Sequence, residues 1–161
     1  SDLPSELTKL IEALNPDNEP GRITLIHRFG ADNVDACLPP IIDAVQTANQ
    51  KVLFCSDPMH GNTFSTNSGI KTRSFDKIAS ELEAAFQIHQ KHGSILGGVH
   101  LELTGDNVTE CIGGSGKLAE PDHERAYKSQ VDPRLNYDQA MELAFLVADN
   151  MKSDKAHLQD W

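Results

Sequence analysis

Three side chains that could bind a metal ion lie in or just after apolar segments of the sequence. His60 follows the acidic residue Asp57 by three positions, Glu102 lies near the end of another apolar segment, and Asp132 opens an Asp-Pro-Arg turn. Imidazole and carboxylate groups are common ligands of divalent metals. Each also has a simpler interpretation, because residues 57–60 could form an ordinary turn and Asp132 could cap a helix.

Glu102 is the most informative of the three. Residues 99–103 predict a strand, on which alternate side chains share a face, so we expect His100 and Glu102 to point the same way. In a parallel sheet covered on both faces, that direction is the interior. A buried histidine and glutamate need partners, and a metal ion would satisfy both. A hydrogen-bond network in the core is the alternative.

Basic residues follow the same distribution, at predicted strand ends or in the adjoining loops: Arg28, Lys71, Arg73 and Arg134. Guanidinium groups bind phosphate and carboxylate anions through paired hydrogen bonds. Together the four predict an anion site, although each alone is typical of a solvated surface charge. The sequence has no Walker A loop, GxGxxG motif or nucleophile elbow, so nucleotide binding and serine hydrolase chemistry have no specific support.

Apolar spacing and turn residues predict the elements that would position these groups. Strands are predicted over residues 23–28, 52–56 and 99–103. Helices are predicted over residues 4–14, over 34–48 with an interruption near Pro39 and Pro40, from the cap Ser74 to just before Gly93, over about 121–127, and over 137–149 after the cap Asn136. Residues 58–72 are rich in Gly, Asn, Ser and Thr, and predict a loop.

This alternation predicts an α/β fold with a mostly parallel sheet, in which functional groups collect at the carboxyl ends of the strands. Arg28, His60 and Glu102 lie at such ends. A closed barrel of eight strands usually needs ~250 residues. The 161 residues and three predicted strands would therefore represent a barrel only in part.

Composition narrows the classes of partner. The formal net charge of −10 argues against nonspecific binding to nucleic acid or to an anionic membrane surface, but it leaves small anionic substrates open. No apolar segment approaches the ~20 residues that span a bilayer. Cys37, Cys55 and Cys111 fit neither a metal motif nor a disulfide framework, and each is interpreted as a small core residue. We therefore expect a cytoplasmic protein.

Longer motifs around these residues resemble those of class II 3-deoxy-D-arabino-heptulosonate 7-phosphate (DAHP) synthases. They occupy, in matching order and spacing, residues 20–26, 55–63, 71–73, 97–105, 107–111, 132–136 and 142–146. The resemblance extends from about residue 20 to about residue 149. It implies that residues 1–161 are the C-terminal portion of a (β/α)8 TIM barrel, a single-domain fragment with about three βα units and parallel strands.

The resemblance also implies roles for individual residues. His60, Glu102 and Asp132 match three catalytic metal ligands of the family, whose fourth ligand, a cysteine, is expected before residue 1. Arg28 matches an arginine that binds phosphoenolpyruvate, and we expect Lys71, Arg73 and Arg134 to contact the anionic substrates as well. The implied metal is divalent, Mn²⁺ first, with Co²⁺, Fe²⁺ or Zn²⁺ as alternatives.

The implied activity is the metal-dependent, aldol-like condensation of phosphoenolpyruvate with erythrose 4-phosphate and water, which gives DAHP and phosphate and opens the shikimate pathway. The alternative is a noncatalytic remnant, or an assembly module that needs a separate N-terminal half. We expect the N-terminal portion of the same enzyme as a partner, a homo-oligomer as the assembly, and little activity from this chain alone.

Overall fold

The computed structural model describes residues 3–158, and the side chains of residues 3–152. Its helices are α1 (Leu3–Leu14), α2 (Val34–Thr47), α3 (Phe75–Lys91), α4 (His123–Ala126) and α5 (Tyr137–Leu158). Its strands are β1 (Thr24–His27), β2 (Leu53–Ser56), β3 (Thr63–Ser65), β4 (Lys71–Arg73) and β5 (Leu96–Val99). Short 3₁₀ turns occupy His60–Asn62 and Glu120–Asp122. The α/β prediction is confirmed.

A three-stranded parallel sheet forms the centre, in the order β1-β2-β5. On β2, Phe54 and Ser56 are buried while Leu53 and Cys55 are not, as the alternation of side chains across a strand requires. The buried side packs against a core formed largely by α2 and α3, in which Phe54 and His89 are in ring contact. The other side is open, and Ile26 and Leu53 are 48% and 45% exposed there.

Helix α2 is continuous, so the predicted interruption at Pro39 and Pro40 is wrong. A proline ring fixes φ near the helical value and removes one N–H donor. Two helical hydrogen bonds are therefore lost. The buried residues of α2 lie on both sides of the prolines: Val34, Leu38, Ile41, Ile42 and Val45. This burial offsets the loss and keeps one helix.

The third strand of the parallel sheet, β5, begins three residues earlier than the sequence predicts and ends at Val99, before His100 and Glu102. Two adjacent glycines resemble a turn, but here Gly97 lies against the neighbouring strand. A Cβ on Gly97 would lie 2.2 Å from Cδ1 of Leu53. Glycine is therefore the residue that fits. The predicted burial of His100 and Glu102 on a strand is also wrong, because His100 is exposed and Glu102 is partly exposed in the loop after β5.

Residues 58–72 are not all loop, because they contain β3 and most of β4, which form an antiparallel pair. Its turn is held by Thr66, whose hydroxyl accepts a hydrogen bond from the Ile70 amide at 3.0 Å, and by Gly69 at φ +85°. These strands are polar, so their side chains do not show the apolar alternation by which a strand is recognised.

The two predicted helix caps are confirmed. Ser74 accepts a hydrogen bond from the amide of Lys77 at the start of α3, and Asn136 accepts one from the amide of Gln139 at 2.9 Å. Helix α5 continues to Leu158, past the predicted end at residue 149. Across residues 3–158, no helix combines the length and the apolar character that crossing a bilayer requires.

Candidate metal centre

The candidate residues lie in loops that follow the strands of the parallel sheet. Arg28 comes directly after β1, His60 lies four residues after β2, and Glu102 lies three residues after β5. Asp132 reaches the same place from the loop before α5, which is joined to the Glu102 segment. The amide of Leu135 donates to the carbonyl of Glu102 at 3.0 Å, within an isolated parallel bridge.

His60, Glu102 and Asp132 converge. The Nε2 atom of His60 lies 3.5 Å from Oε1 of Glu102 and 3.7 Å from Oδ2 of Asp132. One ligand atom from each of the three residues lies within 4.8 Å of the others, and all three side chains are partly exposed. Bond lengths of ~2.0–2.2 Å to a shared ion would separate neighbouring N and O ligands by about 3–3.5 Å. The observed spacing is close to that range.

Asp57 orients His60. Its buried carboxylate lies 2.7 Å from Nδ1 of His60 and also accepts the amides of Met59 and His60. When Nδ1 donates to Asp57, the lone pair of Nε2 points toward two carboxylates, an arrangement of acceptors that a cation would stabilise. A carboxylate on the second nitrogen of a ligating histidine is the usual arrangement in metal sites. The donor set therefore fits a divalent metal.

His100 lies beside this group. Its ring stacks on that of His60 with centroids 6.0 Å apart, and a second set of potential ligand atoms comprises Asp57, His60 and His100. The carboxylate of Asp57 is already in hydrogen-bond contact with Nδ1 and the amide of His60 and with the amide of Met59, and it forms an ion pair with Arg28. The set with Glu102 and Asp132 is the better candidate.

Two predicted anion-binding residues remain accessible to solvent. Arg28 is 52% exposed, and its Nε lies 3.2 Å from Oδ2 of Asp57. Lys71 is 49% exposed and pairs with Asp132. The hydrogen bond from Lys71 lowers the pKa of Asp132, with smaller contributions from Arg73 and His60. Lys71 thus lies beside the candidate ligand Asp132 and Arg28 beside Asp57, and both cations have exposed surface that can contact a further anion.

Arg73 is different, because its side chain is 0% exposed. Its Nη1 donates to Glu102 and to the carbonyl of Pro133 at 2.6 Å, and its Nε donates to Thr63 at 2.8 Å. Nη2 lies 3.9 Å from Oδ2 of Asp132 and has no hydrogen-bond partner among the described residues. This geometry is that of a residue that holds two of the candidate ligands in place.

The described side-chain contacts of Arg134 are with the buried carboxylate of Glu110 and not with the three candidate ligands. Glu110 accepts both Nε and Nη2 of Arg134, at 3.1 and 2.9 Å, and the amides of Lys128, Ser129 and Arg134. Burial would raise the pKa of Glu110, but these hydrogen bonds outweigh it and lower the pKa. Glu110 therefore fixes residues 128–134, the loop that carries Asp132.

Glu81 and Glu110 were not predicted from the sequence, and neither was the orienting role of Asp57. Glu81 carried a signal, because it lies on the apolar side of α3 between Ile78 and Ala85. A carboxylate among buried residues needs specific donors. Glu110 sits in a loop, where no periodic pattern marks burial.

Comparison with known proteins decides the family. The model of the class II DAHP synthetase family matches residues 1–148. The chain belongs to this family. It is 51% identical over 153 residues to the phospho-2-dehydro-3-deoxyheptonate aldolase of Neurospora crassa, covering 94% of this chain and 32% of that protein. It is 46% identical over 149 residues to phospho-2-dehydro-3-deoxyheptonate aldolase AroG of Mycolicibacterium smegmatis, covering 92% and 32%.

The predicted resemblance is thus confirmed. The chain spans about a third of the length of these two family members, and the matched residues include every candidate site residue described above.

Proposed function

We propose that this chain is the C-terminal portion of a class II DAHP synthase and that His60, Glu102 and Asp132 contribute to its metal site. The observation that carries the proposal is the convergence of these three side chains, with Asp57 orienting His60. The names of the two relatives, both aldolases of phospho-2-dehydro-3-deoxyheptonate, support the same activity.

In this proposal the three residues hold a divalent cation, Mn²⁺ first and Co²⁺, Fe²⁺ or Zn²⁺ as alternatives. When bound, the cation supplies Lewis acid polarisation of the aldehyde of erythrose 4-phosphate. Asp57 keeps Nε2 of His60 directed at the site, and Arg73 holds Glu102 and the Asp132 loop.

Substrate binding is assigned to the two exposed cations. Arg28 and Lys71 would bind the anionic groups of phosphoenolpyruvate and erythrose 4-phosphate, which must be held together against their mutual repulsion. The overall reaction joins C3 of phosphoenolpyruvate to the aldehyde carbon, adds water at C2 and releases inorganic phosphate. The described contacts of Arg73 and Arg134, to Glu102 and Glu110, favour positioning roles for these two residues over substrate contact.

We propose that the parallel sheet is part of an eight-stranded barrel, completed by the remaining two thirds of the length found in the relatives. The exposed apolar side chains on the open face of the sheet, Ile26 and Leu53, support this arrangement. That N-terminal portion would supply the fourth metal ligand and the other contacts to phosphoenolpyruvate.

The test uses the full-length enzyme that carries this chain as its C-terminal portion. Phosphoenolpyruvate consumption with erythrose 4-phosphate is measured with Mn²⁺ and after chelation, and Mn²⁺ binding is measured by calorimetry. We expect His60→Ala to abolish both. His92→Ala is the matched control, since His92 pairs with Asp43 on the surface, and it should behave as wild type. Wild-type Mn²⁺ affinity in His60→Ala would refute the site.

The alternative, a noncatalytic or assembly module, predicts that the full-length protein binds its partners without consuming phosphoenolpyruvate under any metal condition. The same assay therefore separates the two functions.

A further inference from the structure

Glu81 has a fully buried carboxylate that the proposed reaction does not use. It lies on α3, and its Oε1 accepts the amides of Phe29 at 3.0 Å and Gly30 at 3.1 Å. Its Oε2 accepts Nδ2 of Asn62 at 2.7 Å. All three neighbours are donors, so the geometry suits an ionised carboxylate, although burial raises the pKa of Glu81.

Asn62 completes the contact between two loops. Its Nδ2 donates to the carbonyl of Pro58 at 2.8 Å as well as to Glu81, and its Oδ1 accepts the amide of Ala31 at 3.0 Å. Asn62 is itself buried. The side chain of Asn62 therefore joins the loop after β1 to the loop after β2, and Glu81 on α3 accepts hydrogen bonds from both loops.

The two loops also touch directly through glycine. A Cβ on Gly61 would lie 2.4 Å from the Gly30 nitrogen, and one on Gly30 would lie 2.8 Å from the Gly61 oxygen. Real Cβ atoms do not approach a backbone atom this closely, and Gly30 has a φ of +82° that other residues rarely adopt. The backbones of the two loops are therefore in close contact, so a shift of one loop toward the other would produce a clash.

We propose that Gly30, Gly61, Asn62 and Glu81 form a loop junction that fixes Arg28 relative to His60, and that Glu81 and Asn62 are positioning residues of the reaction. Arg28 immediately precedes Phe29, whose amide Glu81 binds, and His60 immediately precedes Gly61. The junction therefore sets the distance between the proposed anion-binding guanidinium and the proposed metal ligand. This inference rests on the proposed function for its catalytic consequence.

Isosteric variants test the junction with little change in volume. Both oxygens of Glu81 accept hydrogen bonds, so in Glu81→Gln the NH₂ group of the new amide faces a hydrogen-bond donor in either orientation of the side chain. In Asn62→Asp, a carboxylate faces the carboxylate of Glu81. The double variant restores a donor on residue 81 opposite an acceptor on residue 62, and it leaves only the Pro58 carbonyl without its donor. Glu83→Gln, at an exposed site on the same helix, is the matched control.

The first measurement is hydrogen exchange at the amides of residues 29–31, which needs no substrate or metal. We expect faster exchange in both single variants, partial recovery in the double variant and no change in Glu83→Gln. Unchanged exchange in the single variants would show that the junction does not hold the loop.

The second measurement is steady-state kinetics of the full-length enzyme. Each single variant should raise the KM for phosphoenolpyruvate about tenfold, equivalent to ~1.4 kcal/mol, and the double variant should recover most of it. Gly61→Ala should act in the same direction, whereas Gly116→Ala, where a Cβ meets nothing within 4 Å, should not.

The outcomes are separable. Faster exchange with unchanged kinetic constants would show that Glu81 and Asn62 are structural residues only, and would overturn their positioning role. A double variant whose loss of binding free energy for phosphoenolpyruvate, calculated from KM, equals the sum of the two single losses would overturn it as well. An inactive wild-type enzyme would refute the proposed function and with it the catalytic role, while the exchange data would still decide whether the junction exists.

Discussion

The buried carboxylate of Asp57 lies 2.7 Å from Nδ1 of His60, whereas the other ring nitrogen, Nε2, faces Glu102 and Asp132. The same Oδ2 atom lies 3.2 Å from Nε of Arg28. One oxygen therefore contacts both the proposed metal-binding imidazole and the proposed anion-binding guanidinium.

Asp57→Asn should lower Mn²⁺ affinity of the full-length enzyme by roughly 10- to 100-fold, the effect typical of losing such a contact in a metal site. The amide is neutral and no longer favours the tautomer with a proton on Nδ1. Calorimetric titration with Mn²⁺ measures the change. Asp43→Asn removes a comparable aspartate contact to the surface His92 and should leave Mn²⁺ affinity unchanged. Equal affinities in the two variants would contradict the orienting role.

Arg73→Lys should weaken Mn²⁺ binding while the enzyme stays folded. A lysine keeps the positive charge but cannot contact Glu102, Thr63 and the Pro133 carbonyl from one planar group. Mn²⁺ titration and thermal unfolding are measured together, with the exposed Arg125→Lys as the control. A raised KM for a substrate with unchanged Mn²⁺ affinity would instead support the original prediction that Arg73 contacts substrate.

Arg28→Ala should raise the KM for phosphoenolpyruvate strongly and change stability little, because the side chain is half exposed. Arg28→Lys should not restore full binding, since lysine lacks the paired donors of guanidinium. Arg22→Ala, which removes a surface pair with Glu19, should leave the kinetic constants unchanged. Wild-type kinetics in both Arg28 variants would remove the assignment.

Stability should fall in mild acid because of two buried histidines. Burial lowers the pKa of His27 to about 4, although the nearby charge of Asp57 opposes this shift. Burial also lowers the pKa of His89 to about 3, and the neighbouring His27 and His92 lower it further in the same direction. The folded state thus binds fewer protons than the unfolded state below the ordinary pKa of 6.5. The free energy of unfolding should therefore be highest above that pH and decrease toward pH 4, by at most ~1.4 kcal/mol per pH unit for each histidine.

Urea unfolding at a series of pH values from 7 to 4 measures this slope, and His27→Phe and His89→Phe should each reduce it. An unchanged slope in both variants would assign the acid sensitivity to other groups.

The chain produced alone should show little or no turnover and should self-associate. The open face of the sheet exposes Ile26 and Leu53, and the N-terminal portion that we propose covers them would be missing. Activity with and without that portion in trans, together with mass in solution, tests this. Robust turnover by a monomer of this chain would contradict it.

Most helices and the parallel strands could be predicted from the sequence, because apolar spacing and caps such as Ser74 act locally. Strands β3 and β4 were not predicted, because most of their side chains are polar. The predicted start of β5 was too late, because Gly97 is required by contact with Leu53, a neighbour distant in sequence. The candidate ligands were found from residue type and family motifs. The supporting carboxylates Glu81 and Glu110 were not, because their roles depend on loop amides that only the folded chain brings together.

Cys111 and Cys55 lie in different environments, so alkylation of each thiol can be used to follow a different structural change. Burial raises the pKa of Cys111 to about 12, so the reactive thiolate is scarce at neutral pH and an alkylating reagent reaches it only when the core opens. Cys55 is partly buried and pairs in register with Ile26 on the open face of the sheet. The rate at which an alkylating reagent labels Cys111 thus reports how often the core opens. The rate at which it labels Cys55 reports whether the open face of the sheet is uncovered.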